Sequence, residues 1–336
     1  MTAFENLSHA DQASALHAMA DGALTRWDGT WHVDRLMKYR ENAVFAVAEA
    51  DGTRAALRIH RPGYHSDAAL RSELLWMDAL SRSGMDVPPL VMPSNRQPFV
   101  IATSARVPEP RQVDMLGWVE GRCVADIDCT TTLETIYFSA GVLAARLHDH
   151  AMEWRRPDGF QRHAWDADGL IGEMPLWGPY AGLAQIRPDE RALLDRARTA
   201  AWADVPALDN SPQGYGLIHA DLVPENLLYA PDGLKLIDFD DSGFGWTMFE
   251  LATALFFHID TPAYRGIRAA LLAGYRSKRP LSDESWGKLP LFLFMRSLTY
   301  LGWVGTRPET ETAQELTPML IDRACMLADA YLKQRA

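Results

Sequence analysis

The sequence has few cysteines. Its 336 residues include three of them, Cys123, Cys129 and Cys325. This odd number, without the spacing of metal ligands, argues against a disulfide framework and against a zinc site. It is typical of a protein that works in a reducing compartment.

Long hydrophobic runs are also lacking. The most apolar run near the C-terminus, Leu291 to Met295, follows Pro290 and is cut by Arg296, so no segment approaches the ~20 apolar residues that span a bilayer. The first residues, MTAFENLSHADQ, carry acids where a signal peptide has basic residues followed by an apolar stretch. We therefore expect a cytoplasmic protein.

Positive charge is in short supply. The chain has 33 Lys and Arg against 44 Asp and Glu, a net charge of −11, which disfavours general attraction to nucleic acid or to anionic membranes. We expect neither a nucleic-acid partner nor a membrane partner. The composition, 48% hydrophobic and 23% charged, is that of an ordinary globular protein, and the length suffices for two domains or one two-lobed unit. Nothing in the sequence indicates an oligomeric state.

Glycine-rich phosphate-binding loops are missing as well. The segment KYRENAVFAV (38 to 47) is not glycine-rich, and the pattern G-x-x-x-x-G-K-[ST] occurs nowhere in the chain. This absence argues against a P-loop enzyme.

What the first third does contain is strand-like alternation. AVFAVAEADGTRAALRIH (43 to 60) predicts two strands joined at Asp51-Gly52. DAALRSELLWMDALSRSG (67 to 84) predicts an amphipathic helix closed by a glycine. PPLVMPSNRQPFVIAT predicts another hairpin with its turn at Ser94-Asn95, and VDMLGWVEG predicts a further strand. Together these segments predict a small antiparallel sheet with one helix.

Helical spacing dominates elsewhere. A short helix follows Ser8, a plausible N-cap with Asp11 three residues on. LETIYFSAGVLAARLHDH, from Leu133, predicts a long helix, and helices return at about 188 to 203. Residues 151 to 190, rich in Trp, Pro, Gly and Arg, predict a structured loop region, and such insertions are often functional.

The most informative stretch is HADLVPENLLYAPDGLKLIDFDD (219 to 241). Its Pro-Asp-Gly predicts the turn of a short hairpin. A hairpin centred on Asp232 places Asn226 opposite Asp238, with both side chains on one face. An amide oxygen beside a carboxylate is a suitable half-site for Mg²⁺, which completes its octahedron with water and phosphate.

Asp221 lies five residues before Asn226, on a loop headed by His219. A free carboxylate beside a Mg²⁺ site is the arrangement that phosphoryl transfer needs, because the carboxylate orients an attacking hydroxyl and accepts its proton. The spacing H-x-D-x-x-x-x-N, followed twelve residues later by Asp238, therefore predicts a phosphotransferase.

At this point the chain resembles a known family. LIHADLVPENLLY, LIDFDDSGFGWTMFELATAL, LAARLHDH and LRIHRPGY are similar to segments of kinase-like phosphotransferases. These include aminoglycoside phosphotransferases, choline kinases, type II homoserine kinases and bacterial stress-response kinases. The resemblance covers about residues 30 to 330. It implies an α+β, protein-kinase-like bilobal fold in which Asp221 is the catalytic base, Asn226 and Asp238 bind Mg²⁺, and His219 braces the loop.

The resemblance also implies a domain organisation and an ATP site. We expect a helical extension over 1–30, an N-lobe over 31–117 and a mainly helical C-lobe over 118–336. ATP is expected at a hinge near Met115 to Val119, with Met115 and Trp118 as binding residues. Arg58 stands where the family usually has the phosphate-binding Lys, and Glu73 is its expected ion-pair partner. Arg keeps the positive charge but has a wider fork and a different reach.

Some residues admit two interpretations. Glu250 replaces the Asp that the family commonly has before Leu-Ala, so its longer side chain either anchors the catalytic loop or weakens that support. Asp240 and Asp241 either line an acceptor pocket or tune the metal, or they form a solvated, helix-capping pair. We interpret His148-Asp149-His150 as a helix end. Four tryptophans are interpreted as packing residues: Trp154, Trp165, Trp177 and Trp246.

The phosphate acceptor is predicted to be a small molecule with a hydroxyl group, because the segment between Asp238 and the FELATAL helix is too short to dock a peptide. Acids near the site suit an amino alcohol or an aminoglycoside, whereas Arg155, Arg156 and Arg162 suit a carboxylate such as that of homoserine. The alternatives are a bacterial Ser/Thr protein kinase of the stress-response type and a nucleotide-binding pseudokinase regulator.

Overall fold

The computed structural model describes residues 4–39 and 42–335 and divides into two compact units. The N-terminal unit comprises Met1–Gly121 with Arg156–Gln161, and the C-terminal unit comprises Arg122–Arg155 with Arg162–Ala336. Within KYRENAVFAV, Arg40 and Glu41 lie outside the described residues.

The N-terminal unit is an antiparallel sheet with helices. Its elements are α1 (His9–Leu24), β1 (Trp31–Tyr39), β2 (Ala43–Glu49), β3 (Arg54–Ile59), α2 (Asp67–Arg82), β4 (Val100–Ser104) and β5 (Val107–Gly117). The strand order is β1-β2-β3-β5-β4. The predicted hairpin at Asp51-Gly52 is confirmed: Gly52 has a φ of +92°, and Thr53 N–H donates to Asp51 Oδ1 at 2.8 Å.

Helix α1 forms part of the hydrophobic core of this unit. Leu16, Met19 and Ala20 are buried in one cluster with Phe45 and Leu57 of the sheet. The predicted N-cap is confirmed, because the Ser8 hydroxyl accepts a hydrogen bond from the N–H of Asp11. The helix therefore covers one face of the sheet and supplies apolar surface that the small sheet needs.

The predicted hairpin around Ser94-Asn95 is wrong. The strand β4 pairs with β5, with Val100 opposite Val113, and Leu90 makes only an isolated bridge to Leu116. Pro88, Pro89 and Pro93 interrupt the segment before the turn, and proline cannot donate to a strand ladder. The VDMLGWVEG strand is confirmed as the end of β5.

The C-terminal unit is mainly helical. Its helices are α3 (Thr130–Glu153), α4 (Ala167–Ile171), α5 (Pro188–Asp204), α6 (Thr247–Leu255), α7 (Tyr264–Arg276), α8 (Asp283–Gly287), α9 (Leu289–Gly305) and α10 (Glu311–Arg335). Its strands are β6 (Arg122–Cys123), β7 (Ala164–Trp165), β8 (Tyr215–Ile218), β9 (Leu227–Ala230), β10 (Gly233–Leu236) and β11 (Gly243–Trp246). They form two small sheets, β10-β9-β6 and β7-β11-β8. The long helix expected from Leu133 is α3, and the one expected at about 188 is α5.

The hairpin that carries the predicted metal ligands has a different register from the one expected. Gly233 pairs with Ala230, and Ile237 N–H donates to Asn226 O at 3.0 Å. The pairing of Asn226 with Asp238 is therefore wrong by one residue. The reason is the turn: Gly233, at φ +142°, opens the second strand instead of ending the loop, because glycine tolerates this conformation at little cost.

The strand parity argument also fails at both ends of the hairpin. Asn226 closes a 3₁₀ turn, Pro224–Asn226, and Asp238 has a left-handed φ of +66°. Neither residue lies in regular strand geometry, so their side-chain directions do not follow strand alternation.

Helices α3 and α7 pack closely through glycines. A Cβ atom on Gly274 would overlap the backbone carbonyl of Phe138, and one on Gly141 would overlap the backbone of Leu271. The backbones of the two helices thus approach one another where neither carries a side chain.

We predict that Gly274→Ala lowers the free energy of unfolding by about 1–3 kcal/mol, because the added methyl group overpacks a backbone contact that cannot yield. Chemical denaturation measures the change. Gly22→Ala is the control: Gly22 lies inside α1 with nothing within 4 Å of an added Cβ, so the helix propensity of Ala raises stability by about 0.5–1 kcal/mol. Equal effects of the two substitutions would contradict the close approach.

Candidate active site

The backbone of the loop after β8 is held by Glu250 of α6. Its Oε1 accepts a hydrogen bond from His219 N–H at 2.9 Å, and its Oε2 accepts one from Ala220 N–H at 2.7 Å. Ala220 has a φ of +67°, a conformation that is unfavourable for a residue with a Cβ. The two hydrogen bonds keep it there, so the longer side chain of Glu250 does anchor the loop.

Burial alone would raise the pKa of Glu250. The neighbouring His148 and His219 outweigh this effect and hold the pKa below its ordinary value of 4.5. The Nε2 atom of His148 lies 3.8 Å from Glu250 Oε1, and both side chains are fully buried. The anchor is therefore an ionised carboxylate in the interior of the unit.

His219 connects the loop to the end of the hairpin. Its Nδ1 accepts a hydrogen bond from Asp221 N–H at 3.2 Å, and its Nε2 lies 3.1 Å from Ile237 O. Because Nδ1 accepts, Nε2 carries the proton and donates to that carbonyl. These are the contacts that the predicted bracing role requires, since Ile237 directly precedes Asp238.

Both carboxylate oxygens of Asp221 are engaged. Asn226 Nδ2 donates to Oδ2 at 2.8 Å and to the backbone oxygen of Asp221 at 2.9 Å. Arg296 Nη2 donates to Oδ1 at 2.6 Å. The structure therefore brings the predicted base and one predicted metal ligand into direct contact, and it adds a cation that the sequence analysis did not select.

The orientation of the Asn226 amide bears on its predicted metal role. Its nitrogen faces Asp221, so its carbonyl oxygen Oδ1 points the other way, and no described residue donates a hydrogen bond to it. A carboxamide oxygen and a carboxylate are both hard oxygen donors of the kind that Mg²⁺ or Ca²⁺ takes. Asn226 and Asp238 thus fit a divalent-cation site in the type of their donors.

The residues that follow Asp238 form an acidic loop. Burial, together with the negative charges of Asp221, Asp240 and Asp238, raises the pKa of Asp241 well above its ordinary value. The side chain of Asp240 is buried. These acids are therefore not the solvated helix cap of the alternative interpretation.

The insertion supports this acidic loop. Arg162 donates to the backbone oxygens of Asp240 and Ser242. Trp165 Nε1 donates to Asp241 O at 2.8 Å, and Trp177 Nε1 donates to Asp241 Oδ1 at 3.1 Å. The guanidinium of Arg162 is thus bound to carbonyls of the protein, which weakens its predicted use for a carboxylate of the acceptor. Arg155 and Arg156 are exposed.

In the N-terminal unit, Arg58 is the centre of a buried charge network. Its Nη2 lies 2.9 Å from Glu73 Oε1, which brings together the predicted ion pair. Asp114 accepts two hydrogen bonds from Arg58, at 2.8 and 3.0 Å, and its Oδ2 lies 2.6 Å from His60 Nε2. Burial would raise the pKa of Asp114, but Arg58 and His60 together lower it.

Asp114 and His60 were missed by the sequence analysis. A signal existed, because Asp114 stands among apolar residues near the end of β5 and His60 directly follows the largely apolar strand β3, and buried charges in such positions are almost always paired.

The two residues predicted at the ATP-binding hinge differ in position. Met115 is fully buried in the core of the N-terminal unit, and its backbone oxygen accepts a hydrogen bond from Val91 N–H. Trp118 is half-buried, with the guanidinium of Arg54 4.0 Å from the centroid of its ring. Of the two side chains, only that of Trp118 reaches the surface of its unit.

The His148-Asp149-His150 segment has structural contacts. It lies in the last turns of α3, and His148 Nδ1 is 2.9 Å from the hydroxyl of Tyr275. Asp149 pairs with Arg279, and His150 stacks on Trp154. The interpretation as a helix end is confirmed. Three of the four tryptophans interpreted as packing residues are buried, namely Trp165, Trp177 and Trp246.

Arg296 is the main residue that the sequence analysis missed in the C-terminal unit. It is 0% exposed, and its guanidinium lies 4.3 Å from the ring centroid of Tyr300 and 4.7 Å from that of Trp177. The signal was its place within α9: a single charge inside an otherwise apolar helix predicts a buried partner.

Comparison with known proteins identifies the family. A model described as the phosphotransferase enzyme family (APH) matches residues 35–288, most of the chain. The chain belongs to this family. The homoserine kinase of Gluconobacter oxydans is 26% identical over 219 residues, which are 61% of this chain and 64% of that relative.

Solved structures of other phosphotransferases are similar over nearly the whole chain. A microcompartment-associated aminopropanol kinase is 32% identical with a TM-score of 0.83, covering 94% of this chain and 98% of the other. Amicoumacin kinase in complex with AMP-PNP, Ca²⁺ and Ami has a TM-score of 0.78 at 18% identity, covering 96% of each chain. The second likeness shows the fold alone.

These findings confirm the predicted family, the kinase class and the α+β, protein-kinase-like fold. The chain is thus a phosphotransferase of a family whose members named here act on small molecules. Within residues 4–39 and 42–335, no helix has the length and apolarity that a membrane span requires.

We predict that Glu250→Gln destabilises this phosphotransferase by about 1–3 kcal/mol, because the amide group leaves one buried N–H of the loop without an acceptor. The pKa of Glu250 is lower in the folded state than its ordinary value, so its contribution is present above that value and is lost as the pH falls through the folded pKa. The stability gap between wild type and variant should therefore narrow in acid.

Denaturant unfolding at neutral and at acidic pH measures this gap. Glu315→Gln, on the exposed face of α10, is the control and should change stability by no more than about 0.5 kcal/mol. A Glu250→Gln variant as stable as wild type at neutral pH would show that Glu250 is not the anchor.

Proposed function

We propose that the protein transfers the γ-phosphate of ATP, with Mg²⁺, to a hydroxyl group of a small molecule that also carries an amine. One observation carries the proposal: in a member of the phosphotransferase family, Asn226 Nδ2 donates to Asp221 Oδ2 at 2.8 Å. A carboxylate for the hydroxyl and an oxygen ligand for the metal thus lie side by side, as phosphoryl transfer needs.

In this proposal Asp221 is the catalytic residue. Its carboxylate orients the hydroxyl of the acceptor and accepts its proton during transfer. Asn226 fixes the side chain of Asp221 from within the loop, while His219 fixes its backbone.

The divalent cation would be held by Asn226 Oδ1 and by the carboxylate of Asp238. When bound, Mg²⁺ neutralises the phosphate oxygens and orients them for transfer. Support comes from the donor types, from the orientation of the Asn226 amide, and from the hydrogen bond of His219 to Ile237, which fixes the backbone just before Asp238.

Nucleotide phosphates would be bound by Arg58 of the N-terminal unit. Glu73 forms a buried ion pair with its guanidinium, and Asp114 accepts hydrogen bonds from it, so its orientation is fixed before a phosphate binds. A preorganised cation of this kind loses little entropy on binding. Trp118, and the backbone next to Met115, would contact the base.

An amine on the acceptor is favoured by the acids of this part of the chain. Asp221, Asp240 and Asp238 lie close enough to Asp241 for their negative charges to raise its pKa, whereas Arg162 is bound to backbone carbonyls. The likeness to an aminopropanol kinase, at 32% identity, supports an amino alcohol in particular. Homoserine, an amino alcohol with an additional carboxylate, is the second candidate because homoserine kinases are among the relatives.

We predict that the purified protein phosphorylates one or more amino alcohols from a panel of amino alcohols, homoserine, choline, aminoglycosides and a generic protein substrate, with labelled ATP and Mg²⁺. Asp221→Asn should lower kcat by about 10²–10⁴-fold, because loss of a general base costs that much. Asp232→Asn, an exposed acid at the turn of the same hairpin, should keep the activity of the wild type.

Other outcomes of the screen select other functions. Label on the protein substrate alone would support a Ser/Thr protein kinase. Nucleotide binding without transfer to any acceptor, unchanged by Asp221→Asn, would support a pseudokinase regulator and contradict the proposal.

We predict that EDTA abolishes transfer and that Mg²⁺ restores it. Asp238→Asn replaces an anionic ligand by a neutral one, so the Mg²⁺ concentration for half-maximal rate should rise by about 10–100-fold. A Mg²⁺ titration of the initial rate measures the change, again with Asp232→Asn as the control. An unchanged titration curve for Asp238→Asn would remove Asp238 from the metal site.

A further inference from the structure

The guanidinium of Arg296 is buried within an apolar helix. It lies in α9, where nearly all other residues are apolar and buried, and its side chain is 0% exposed. Its carboxylate partner at hydrogen-bond distance is Asp221, whose Oδ1 lies 2.6 Å from Nη2. The same Nη2 donates to the hydroxyl of Tyr300 at 2.9 Å.

Stability alone does not account for this residue. Removing a guanidinium from water is costly, and replacing a buried ion pair by apolar residues is often neutral or stabilising. Here the compensation is incomplete, because Nε and Nη1 of Arg296 have no hydrogen-bond partner among the described residues. A buried cation that is imperfectly satisfied indicates a role other than packing.

Aromatic rings fix the plane of this guanidinium. The centroids of Tyr300, Trp177 and Phe249 lie 4.3, 4.7 and 5.5 Å from its central carbon. Trp177 also donates to Asp241 Oδ1, and Phe249 directly precedes the loop anchor Glu250. Arg296 is thus held rigidly by elements that already support the loops of the site.

The carboxylate of Asp221 is thus hydrogen-bonded through both of its oxygens. Asn226 holds Oδ2 from within the loop, and Arg296 holds Oδ1 from a helix distant in sequence. Two hydrogen bonds to different oxygens determine the plane of the carboxylate as well as its position. A single bond would leave it free to rotate about Cβ–Cγ.

We propose that Arg296 is a positioning residue for phosphoryl transfer: from α9, it holds the carboxylate of Asp221 in the orientation in which the acceptor hydroxyl is aligned. The proposal rests on the function proposed above. Arg296 does not bind the acceptor, because its side chain is wholly buried. Its effect is exerted through Asp221.

The test is a kinetic comparison of wild type with Arg296→Met, which keeps an unbranched apolar side chain in the aromatic surroundings. We expect kcat to fall by on the order of 10²-fold, because a misplacement of about 1 Å costs that much. The KM for the acceptor and the Kd for the nucleotide should stay within about threefold, since an interaction needed in the transition state affects kcat and not ground-state binding.

A double-mutant cycle with Asp221→Asn tests whether the effect passes through Asp221. If it does, adding Arg296→Met to Asp221→Asn should lower kcat by no more than about threefold further, because residues acting as a unit are not additive. A full additional loss of about 10²-fold would overturn the proposal, as would a folded Arg296→Met enzyme with the kcat of wild type.

Arg323→Met is the matched control. Arg323 is also a buried arginine, lying over the ring of Phe256 and paired with Asp260, but it donates its hydrogen bonds to Asp260 and to the backbone of Phe256 and not to the loop of Asp221. It should lose stability and keep kcat. A similar fall in kcat in both variants would mean that losing any buried arginine impairs the enzyme, and would overturn the specific role of Arg296.

A second variant covers the case in which Arg296→Met does not fold. Arg296→Lys keeps the charge but offers a compact ammonium in place of a planar fork, so kcat should fall by about tenfold, again without additivity to Asp221→Asn. Full wild-type kcat in this variant would contradict the need for a fixed plane. If wild type itself phosphorylates no acceptor, the proposed function fails, and that outcome is distinct from a wild-type enzyme that is insensitive to Arg296.

Discussion

The site depends on one interaction: the carboxylate of Glu250 accepts hydrogen bonds from two successive backbone N–H groups, those of His219 and Ala220. Without these bonds, Ala220 has no reason to hold a positive φ, and the chain would not turn sharply at this point. That turn sets the position of the backbone of Asp221. A buried ionised side chain is an expensive anchor, but its two carboxylate oxygens satisfy the two adjacent N–H groups with a single residue.

Much of the fold follows from local rules that operate within a few residues. The Asp51-Gly52 hairpin and the Ser8 cap of α1 were predictable because turn and cap residues act through their own backbone. The candidate site was predictable for a similar reason: Asp221, Asn226 and Asp238 occur in one short stretch, and their residue types limit the chemistry. The predicted strand register of the hairpin around Asp232 was wrong. Whether a turn is centred on Asp232 or before it depends on which residue takes the φ of +142°, here Gly233, and the pattern Pro-Asp-Gly permits both.

The residues that were not predicted are those that interact with a partner distant in the sequence. Arg296 is separated from Asp221 by 75 positions, and Asp114 from Arg58 by 56. Periodicity reveals that each is a charge among apolar neighbours, which predicts a buried partner but not its identity. The strand β4 pairs with β5 instead of with the segment before Ser94-Asn95. This backbone pairing, like the side-chain pairs, joins segments whose contact the local sequence does not indicate. Long-range pairing is decided by the packing of the whole unit, and no local pattern records it.

Three separate parts of the C-terminal unit support three separate aspects of the site. Helix α6 supplies Glu250, which holds the backbone of the loop that leads to Asp221. Helix α9 supplies Arg296, which holds a side chain of that loop. The insertion supplies Arg162 and Trp165, which hold the backbone of the acidic loop. These supports come from different elements but meet at one point, because the rings of Trp177 in the insertion and of Phe249 in α6 lie against the guanidinium of Arg296. The position of the loop, the plane of its carboxylate and the shape of the acidic loop beside it are therefore coupled properties, and a change in one support alters the surroundings of the other two.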